Sequence, residues 1–271
     1  MDMEYAQSLF RDLLNIIRTL RGPNGCPWDR KQTHRTLIPY MLEEAHEAVA
    51  AIEENNMTSL AEELGDVLLQ VVLHAEIASE RLALGRKDAF DISIVLNAIC
   101  SKLRYRHPHV FDDLKVETSQ EVVENWNRLK LQEHKNDSSG STLDSVSSAL
   151  PQLTAAWKYQ VRAAQTGFDW DNIADVLYKV EEELHELVYE IKRKAEKERI
   201  EDEAGDLLFA IVNLCRFLDV NPEEALRKAN KKFKRRFTCL EKRLGGAENM
   251  KTMSVEELDL EWDKVKLDEK A

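Results

Sequence analysis

The chain contains 271 residues, which is more than one small helical bundle needs and enough for two domains of ordinary size. Hydrophobic residues make up 43% of the sequence and charged residues 32%, with few glycines and prolines, which is typical of a helix-rich protein with buried cores. The formal net charge of -12 argues against non-specific binding to nucleic acid or to an anionic membrane, so neither is expected as a partner.

We expect no signal peptide, because Met1–Glu4 is not a basic region followed by an apolar run. The longest apolar stretches, 67–73 and 207–212, are too short to cross a bilayer. The four cysteines have no CxxC spacing and are interpreted as free thiols in a reducing compartment. We therefore expect a cytoplasmic protein.

The helical character of the sequence is interrupted once. The segment from Lys135 to Ser141 is polar, serine-rich and without apolar periodicity, and Pro151 closes the region. These features predict a linker over 135–150 between an N-terminal domain, 1–134, and a C-terminal domain, 151–271.

Both domains are predicted to be all-α. No convincing run of alternating strand residues occurs, and apolar residues of the C-terminal half recur at spacings of three and four. The first such series is Ile173, Val176, Leu177, Val180, Leu184, Leu187, Val188 and Ile191, and the second is Ile200, Ala204, Leu207, Leu208, Ile211 and Leu214.

Four motifs occur twice in the same order, which indicates an internal duplication. The numbering offset between the copies is 139 from Glu44 to Glu183 and 140 from Asp66 to Asp206. The paired motifs are Trp28-Asp29 with Trp170-Asp171, Leu42–Glu47 with Glu181–Glu186, Glu63–Leu68 with Glu203–Leu208, and Trp126-x3-Lys130 with Trp262-x3-Lys266.

Acidic residues of the C-terminal copy are predicted to meet across a helical hairpin. Glu183 and Glu186 share a helix face, and so do Glu203 and Asp206. An antiparallel hairpin centred near Lys194 places Glu183 opposite Asp206. The same centre places Glu186 opposite Glu203, so all four carboxylates lie at one level.

Four carboxylates at one level repel each other unless a cation binds. At about 4–5 Å and an effective dielectric near 20, each pair costs roughly 3–4 kcal/mol. All-oxygen ligands favour Mg²⁺, Mn²⁺ or Ca²⁺ over Zn²⁺. The alternative is a pair of solvated acidic helix faces. The N-terminal copy follows the same register about Asn55, which predicts a second metal site at Glu44, Glu47, Glu63 and Asp66.

Basic residues accompany the C-terminal acids. Lys179 and Arg199 each lie one turn before an acid pair, where they either form ion pairs or point at a phosphate held by the metal. The run 230–236 is densely basic, and its residues Lys232 and Arg236 share a helix face. That face is either a solvated stripe or a surface suited to a polyphosphate chain.

The roles of two tryptophans have two interpretations each. Trp262 shares a helix face with Lys266 and either stacks on a base or ribose or anchors the last helix to the core. Trp170 either walls a base pocket or closes the end of the bundle.

The ordered motifs resemble a known family. EExxE followed by ExxD is similar to the signature of the all-α nucleoside triphosphate pyrophosphohydrolases, and the tandem arrangement resembles the two-domain MazG family along nearly the whole chain. Gly25–Asp29, Arg106–Phe111 and Gly167–Trp170 carry the resemblance further. It implies two MazG-like helical bundles, a homodimer, and Mg²⁺-dependent hydrolysis of ATP and other nucleoside triphosphates to monophosphate and pyrophosphate, with Mn²⁺ as a substitute.

The resemblance also implies roles for individual residues. For the protein as a whole, the resemblance implies a loose base preference and a role in nucleotide-pool cleaning or stress response. The metal-binding acids fall on Glu183, Glu186, Glu203 and Asp206. The nucleotide contacts fall on Lys179, Arg199, Lys232, Arg235, Arg236, Trp262 and Lys266. Apart from the resemblance, hydrolysis needs a carboxylate that is not saturated by metal to accept the water proton, and Glu182 and Glu186 are the candidates.

The C-terminal copy is expected to be the active one. Lys179 aligns with Tyr40 and Arg199 with Ser59, so the N-terminal copy keeps the acids but lacks these two bases. We therefore expect the N-terminal domain to be weakly active or structural.

Two rival functions remain at this stage. Glu43-x-x-His46 and Glu182-x-x-His185 fit the ExxH spacing of di-iron carboxylate bundles. A non-catalytic module that only senses nucleotides is the second alternative.

Overall fold

The computed structural model describes residues 2–82, 85–112, 114–116, 118, 120–122, 125–126, 128–129 and 140–269. The chain divides into two compact units, Met1–Glu133 and His134–Ala271. All regular secondary structure in the described residues is helical, which confirms the prediction of an all-α protein. None of the helices described is long and apolar enough to cross a membrane.

The described helices of the first unit are α1 to α5. They span Met3–Arg21, Ile38–Glu53, Met57–Leu82, Ile92–Arg106 and Pro108–Phe111, with a 3₁₀ turn at Asp29–Lys31. Local sequence sets several boundaries: the side chain of Asp2 caps α1, Asp91 caps α4, and a proline occupies the first turn of α2. Helix α3 is the centre of the unit, because α1, α2 and α4 all pack on it. The hydrophobic core of the first unit includes Ile17, Leu37, Val72, Leu73 and Ile77.

The second unit contains the helices α6 to α11. They span Gln152–Ala164, Ile173–Lys192, Lys197–Phe217, Pro222–Arg243, Ala247–Met250 and Val255–Asp268. Asn172 and Asn221 accept backbone hydrogen bonds at the starts of α7 and α9, and Ser254 forms a capping box at the start of α11. Helix α8 packs along α7 and also against α6, while α9 packs on α6 and α11. The core includes the fully buried side chains of Val176, Val212 and Val265.

Each unit contains one tight helical hairpin, α2–α3 in the first and α7–α8 in the second. The turns centre on residues in the left-handed backbone region, Asn55 (φ 53°) and Lys194 (φ 54°). These are the two hairpin centres that the acid spacing predicts. In both turns the peptide N–H after the left-handed residue bonds the carbonyl five residues earlier, at Ala51 and Glu190, as in a Schellman motif.

The predicted linker over 135–150 is described only in its second part. Residues 135–139 lie outside the described residues. From Gly140 onward the chain is ordered against the second unit: Thr142–Ser145 forms a 3₁₀ turn that packs on α6, and Val146 is buried. Residues 142–146 therefore contribute to the second unit.

Candidate active site

Three carboxylates of the second unit converge across the α7–α8 hairpin. Glu183 and Glu186 lie one turn apart on α7, and Glu203 faces them from α8. One oxygen from each lies within 4.8 Å of the other two, and we call these residues the C-terminal trio. Glu183 is buried and the Glu203 side chain is 13% exposed, whereas Glu186 is open to solvent. The trio is therefore shielded from solvent at Glu183 and Glu203 and accessible to solvent at Glu186.

The negative charges next to Glu186 contribute to a raised pKa of this residue. Desolvation, followed by repulsion from Glu183 and Glu203, raises its pKa above the ordinary glutamate value. A divalent cation would relieve this repulsion. Carboxylate oxygens alone within 4.8 Å of each other are a donor set that fits Mg²⁺ or Mn²⁺.

Two bases flank the C-terminal trio, one on each helix. The ammonium of Lys179 lies 2.8 Å from Glu183 and 2.9 Å from Glu182, and these contacts raise the pKa of Lys179 well above its ordinary value. The guanidinium of Arg199 lies 3.3 Å from Glu203. Both bases therefore reach the trio directly and remain partly open to solvent.

A groove of ≈ 600 Å³ opens beside the trio. Its volume is sufficient for a small-molecule ligand. The walls combine acids, one base and two tyrosines: Tyr178, Glu181, Glu182, His185, Glu186, Tyr189, Glu190, Arg199 and Glu203.

The fourth predicted acid, Asp206, is not part of the trio. It is exposed and lies one turn beyond Glu203 on α8. One further turn along is Phe209, which lines an apolar pocket of ≈ 480 Å³. Asp206 therefore lies on α8 between the trio and this pocket, about 4.5 Å along the axis from each neighbour.

The apolar pocket has aromatic walls and one ion pair. Phe168, Trp170 and Phe209 are among its lining residues, so Trp170 contributes to a pocket wall. Whether a base occupies this pocket stays a prediction. At its edge Arg216 donates to both carboxylate oxygens of Asp169, and this contact lowers the pKa of Asp169.

The first unit contains an equivalent acidic cluster. Glu44, Glu47 and Glu63 bring one oxygen each within 4.8 Å of the others, and we call them the N-terminal trio. Desolvation raises the pKa of Glu44, with a further contribution from repulsion by Asp66. The positions equivalent to Lys179 and Arg199 are occupied by Tyr40 and Ser59, which carry no positive charge.

The remaining predicted nucleotide contacts lie on α9 and α11. Arg235 and Arg236 each donate to one oxygen of Glu269 at 2.8 Å, and Lys266 pairs with Asp263. The ring of Trp262 packs on Phe233, 5.5 Å between centroids. Among the described residues, no hydrogen bond, ion pair or ring contact joins these five predicted residues to the C-terminal trio: Lys232, Arg235, Arg236, Trp262 and Lys266.

Comparison with known proteins places these features in a family. The sequence model of the MazG nucleotide pyrophosphohydrolase domain matches residues 32–111 and 172–238. The chain belongs to the MazG family. It is 44% identical, over 97% of its length and 98% of the relative's, to a protein of Thermotoga maritima named nucleoside triphosphate pyrophosphohydrolase/pyrophosphatase MazG. It is 43% identical, over 95% and 97%, to the nucleoside triphosphate pyrophosphohydrolase of Escherichia coli strain K12.

A solved structure of a MazG-related protein from Thermotoga maritima covers 44% of this chain and 97% of its own, with 29% identity and a TM-score of 0.36. The two segments matched by the MazG domain contain both trios, together with Lys179, Arg199 and the basic run of α9. The prediction of two tandem MazG-like helical domains is confirmed.

Among the described residues of this MazG chain, the ExxH elements of the di-iron alternative are not gathered into a cluster of potential metal ligands. The clusters of potential metal ligands found among the described residues are the two trios, and both consist of glutamates alone. His46 and His185 are not members of either. Glu182 and His185 both line the groove, but no histidine joins a cluster of potential metal ligands in the part of the chain that the structure describes.

Sequence reasoning missed one charged residue of the MazG hairpin. Glu190 is 5% exposed and contacts Arg193 and Arg199. It follows Glu186 by one turn, so the same helical periodicity that found the trio could have found it. Its burial, however, depends on how α7 meets α8.

Proposed function

We propose that the chain is a Mg²⁺-dependent nucleoside triphosphate pyrophosphohydrolase, which converts a nucleoside triphosphate and water into a monophosphate and pyrophosphate. The observation that carries the proposal is the C-terminal trio flanked by Lys179 and Arg199. The names of the Thermotoga maritima and Escherichia coli relatives, which match almost the whole chain, support the same reaction.

Glu183, Glu186 and Glu203 would hold the cation, with Asp206 as a fourth ligand from the next turn of α8. When bound, Mg²⁺ would supply positive charge that polarises the phosphate groups and lowers the pKa of a water molecule. Mn²⁺ prefers the same carboxylate oxygens and would substitute.

The protein groups position the reactants. Water attacks the α-phosphorus, the bond from that phosphorus to the bridging oxygen of the β-phosphate breaks, and pyrophosphate leaves with the bridging oxygen. A carboxylate accepts the water proton, and both candidates, Glu182 and Glu186, line the groove. Lys179 and Arg199 balance negative charge on the triphosphate.

The nucleoside lies against apolar surface in this proposal. The pocket next to Asp206 offers aromatic walls, which suit stacking of any base and hence a loose base preference. The basic face of α9, with Lys232, Arg235 and Arg236, and the pair Trp262 and Lys266 remain proposed nucleotide contacts.

The protein functions as a homodimer in this proposal. Large apolar side chains on α7 and α8 are widely exposed, among them Tyr178 at 70%, Leu184 at 47% and Leu208 at 55%. Such an apolar surface is typical of a protein interface. Sedimentation should give twice the chain mass of 31.3 kDa. The four free cysteines agree with a cytoplasmic location.

The decisive experiment is product analysis with several nucleoside triphosphates and Mg²⁺. Equal amounts of monophosphate and pyrophosphate support the proposal, whereas orthophosphate with a diphosphate contradicts it. Binding of nucleotide without turnover would instead favour the sensing module.

The division of labour is tested in the full chain. Glu47→Gln in the N-terminal trio should leave turnover nearly unchanged, and Glu186→Gln in the C-terminal trio should abolish it. Equal losses from both would contradict an N-terminal domain that is structural or regulatory. Separate fragments should divide the chain before Gly140, because Val146 is buried in the second unit.

A further inference from the structure

Glu190 is a buried carboxylate that the trio and its two bases do not account for. One of its oxygens lies 2.5 Å from the Nε of Arg193, and the other lies 3.9 Å from the guanidinium of Arg199 on the facing helix. Arg199 thus contacts three carboxylates: Glu203 of the trio at 3.3 Å, Asp202 at 3.6 Å and Glu190 at 3.9 Å.

We propose that Glu190 is a positioning residue, which holds Arg199 at the edge of the C-terminal trio so that its guanidinium meets the triphosphate. The inference rests on the proposed function. Without a cation, Glu203 is a direct partner of Arg199. A cation bound at the trio competes for the Glu203 carboxylate. Asp202 and Glu190 then remain as partners of Arg199, and of these two Glu190 is the buried one, so its carboxylate is fixed beside the site.

The N-terminal hairpin is an internal control for this assignment. Glu190 and Ala51 are structurally equivalent, because each provides the carbonyl that accepts the long turn hydrogen bond. Ala51 is 4% exposed and Glu190 is 5% exposed, so one hairpin buries a methyl group where the other buries a carboxylate. The hairpin that lacks the carboxylate also lacks both of its arginine partners, since Ser59 occupies the position of Arg199 and Glu54 that of Arg193.

The comparison separates positioning from simple stabilisation. A buried ion pair seldom stabilises a fold more than apolar packing at the same place does. Ala51 shows that this type of turn closes without a carboxylate. The turn itself therefore does not require the charge at Glu190. Its basic neighbours are Arg193, at 2.5 Å, and Arg199 on the facing helix, at 3.9 Å, and of these two described residues only Arg199 also contacts the trio.

The test is a double-mutant cycle in the full chain with Glu190→Gln, Arg199→Ala and the double variant. Pyrophosphate release is measured at saturating Mg²⁺ with ATP and GTP. Arg199→Ala removes a charged hydrogen bond to phosphate and should raise KM by about tenfold or more. Glu190→Gln should raise KM in the same direction with a smaller change in kcat, and should add less than about twofold in the Arg199→Ala background.

Two control variants accompany the double-mutant cycle. Glu201→Gln removes an exposed carboxylate that pairs with Lys197 at 3.3 Å and should change nothing. Glu190→Ala, which copies Ala51, replaces Glu190→Gln if the latter does not fold, as judged by circular dichroism. Multiplying effects in the double variant, or an unchanged KM in Glu190→Gln, would overturn the proposal.

The proposed function fails separately, if the wild-type chain releases no pyrophosphate. In that case the same double-mutant cycle is carried out by measuring the affinity of each variant for a non-hydrolysable triphosphate analogue. Loss of analogue affinity in both single variants, without further loss in the double variant, supports the positioning role. Additive losses contradict it.

Discussion

Replacement of Glu203 by glutamine should remove the metal site without harming the fold. An oxygen of Glu203 lies within 4.8 Å of one from Glu183, and both side chains are largely buried. At that distance and an effective dielectric near 20, their repulsion is about 3 kcal/mol. The lost contact to Arg199 offsets little of this, because that arginine is 55% exposed and exposed ion pairs contribute about 0.2–1 kcal/mol.

The variant should therefore be as stable as the wild type in EDTA, or more stable. Mg²⁺ at a hundred times its dissociation constant should stabilise the wild-type unit by about 2.7 kcal/mol, which corresponds to roughly 5–10 °C in Tm. Glu203→Gln should lose most of this increase together with pyrophosphate release. The measurements are thermal unfolding with and without Mg²⁺ and a pyrophosphate assay.

The matched control is Glu63→Gln, which makes the same change in the N-terminal trio. It should leave turnover close to wild type. A Glu203→Gln variant that keeps both its Mg²⁺-dependent Tm increase and its turnover would refute the assignment of the metal to the C-terminal trio.

Three further outcomes are expected. Lys179→Met should raise KM about ten- to a hundredfold for every nucleotide, because one charged contact to phosphate is lost, and a loss confined to one base in kinetic assays would contradict this. Asp169→Asn should lower the free energy of unfolding by about 1–3 kcal/mol in a urea titration, because Arg216 loses its carboxylate partner, and an unchanged midpoint would contradict this. Desolvation and then His34 lower the pKa of His74 below 6.5, so its neutral form stabilises the fold above that pH. The stability should fall as pH drops through the lowered pKa, and His74→Gln should flatten that dependence in thermal unfolding, whereas an equally steep profile in the variant would contradict the role of His74.

The helical hairpins could be predicted because their information is local. Apolar residues at spacings of three and four define α7 and α8, and the matched acid spacing fixes the turn centre at Lys194, which the structure places in the left-handed region. Asn55 accepts this conformation readily, whereas a lysine with positive φ is not predictable from its side chain. The duplicated acid spacing predicted the turn at Lys194, which the conformational preference of lysine alone does not predict.

Other parts of the site depend on contacts that sequence spacing does not encode. The prediction placed four acids at one level, whereas in the structure three converge and Asp206 lies one turn beyond Glu203 on α8. The contacts of Arg235 and Arg236 with Glu269 join residues more than thirty positions apart. The sequence indicated a basic face on α9, but not that a carboxylate from the end of α11 faces it.

The two trios differ in the charge around them, and this difference supports the proposal that the two domains divide their functions. Glu44 and Glu63 have raised pKa values, first from desolvation and then from neighbouring acids, and the residues at the equivalent flanking positions are the uncharged Tyr40 and Ser59. A cation alone relieves that repulsion. A triphosphate adds roughly four negative charges, and binding it beside carboxylates requires bases within hydrogen-bond reach. The N-terminal trio is therefore suited to a cation, and the C-terminal trio, with Lys179 on one helix and Arg199 on the other, is suited to a cation together with its polyphosphate.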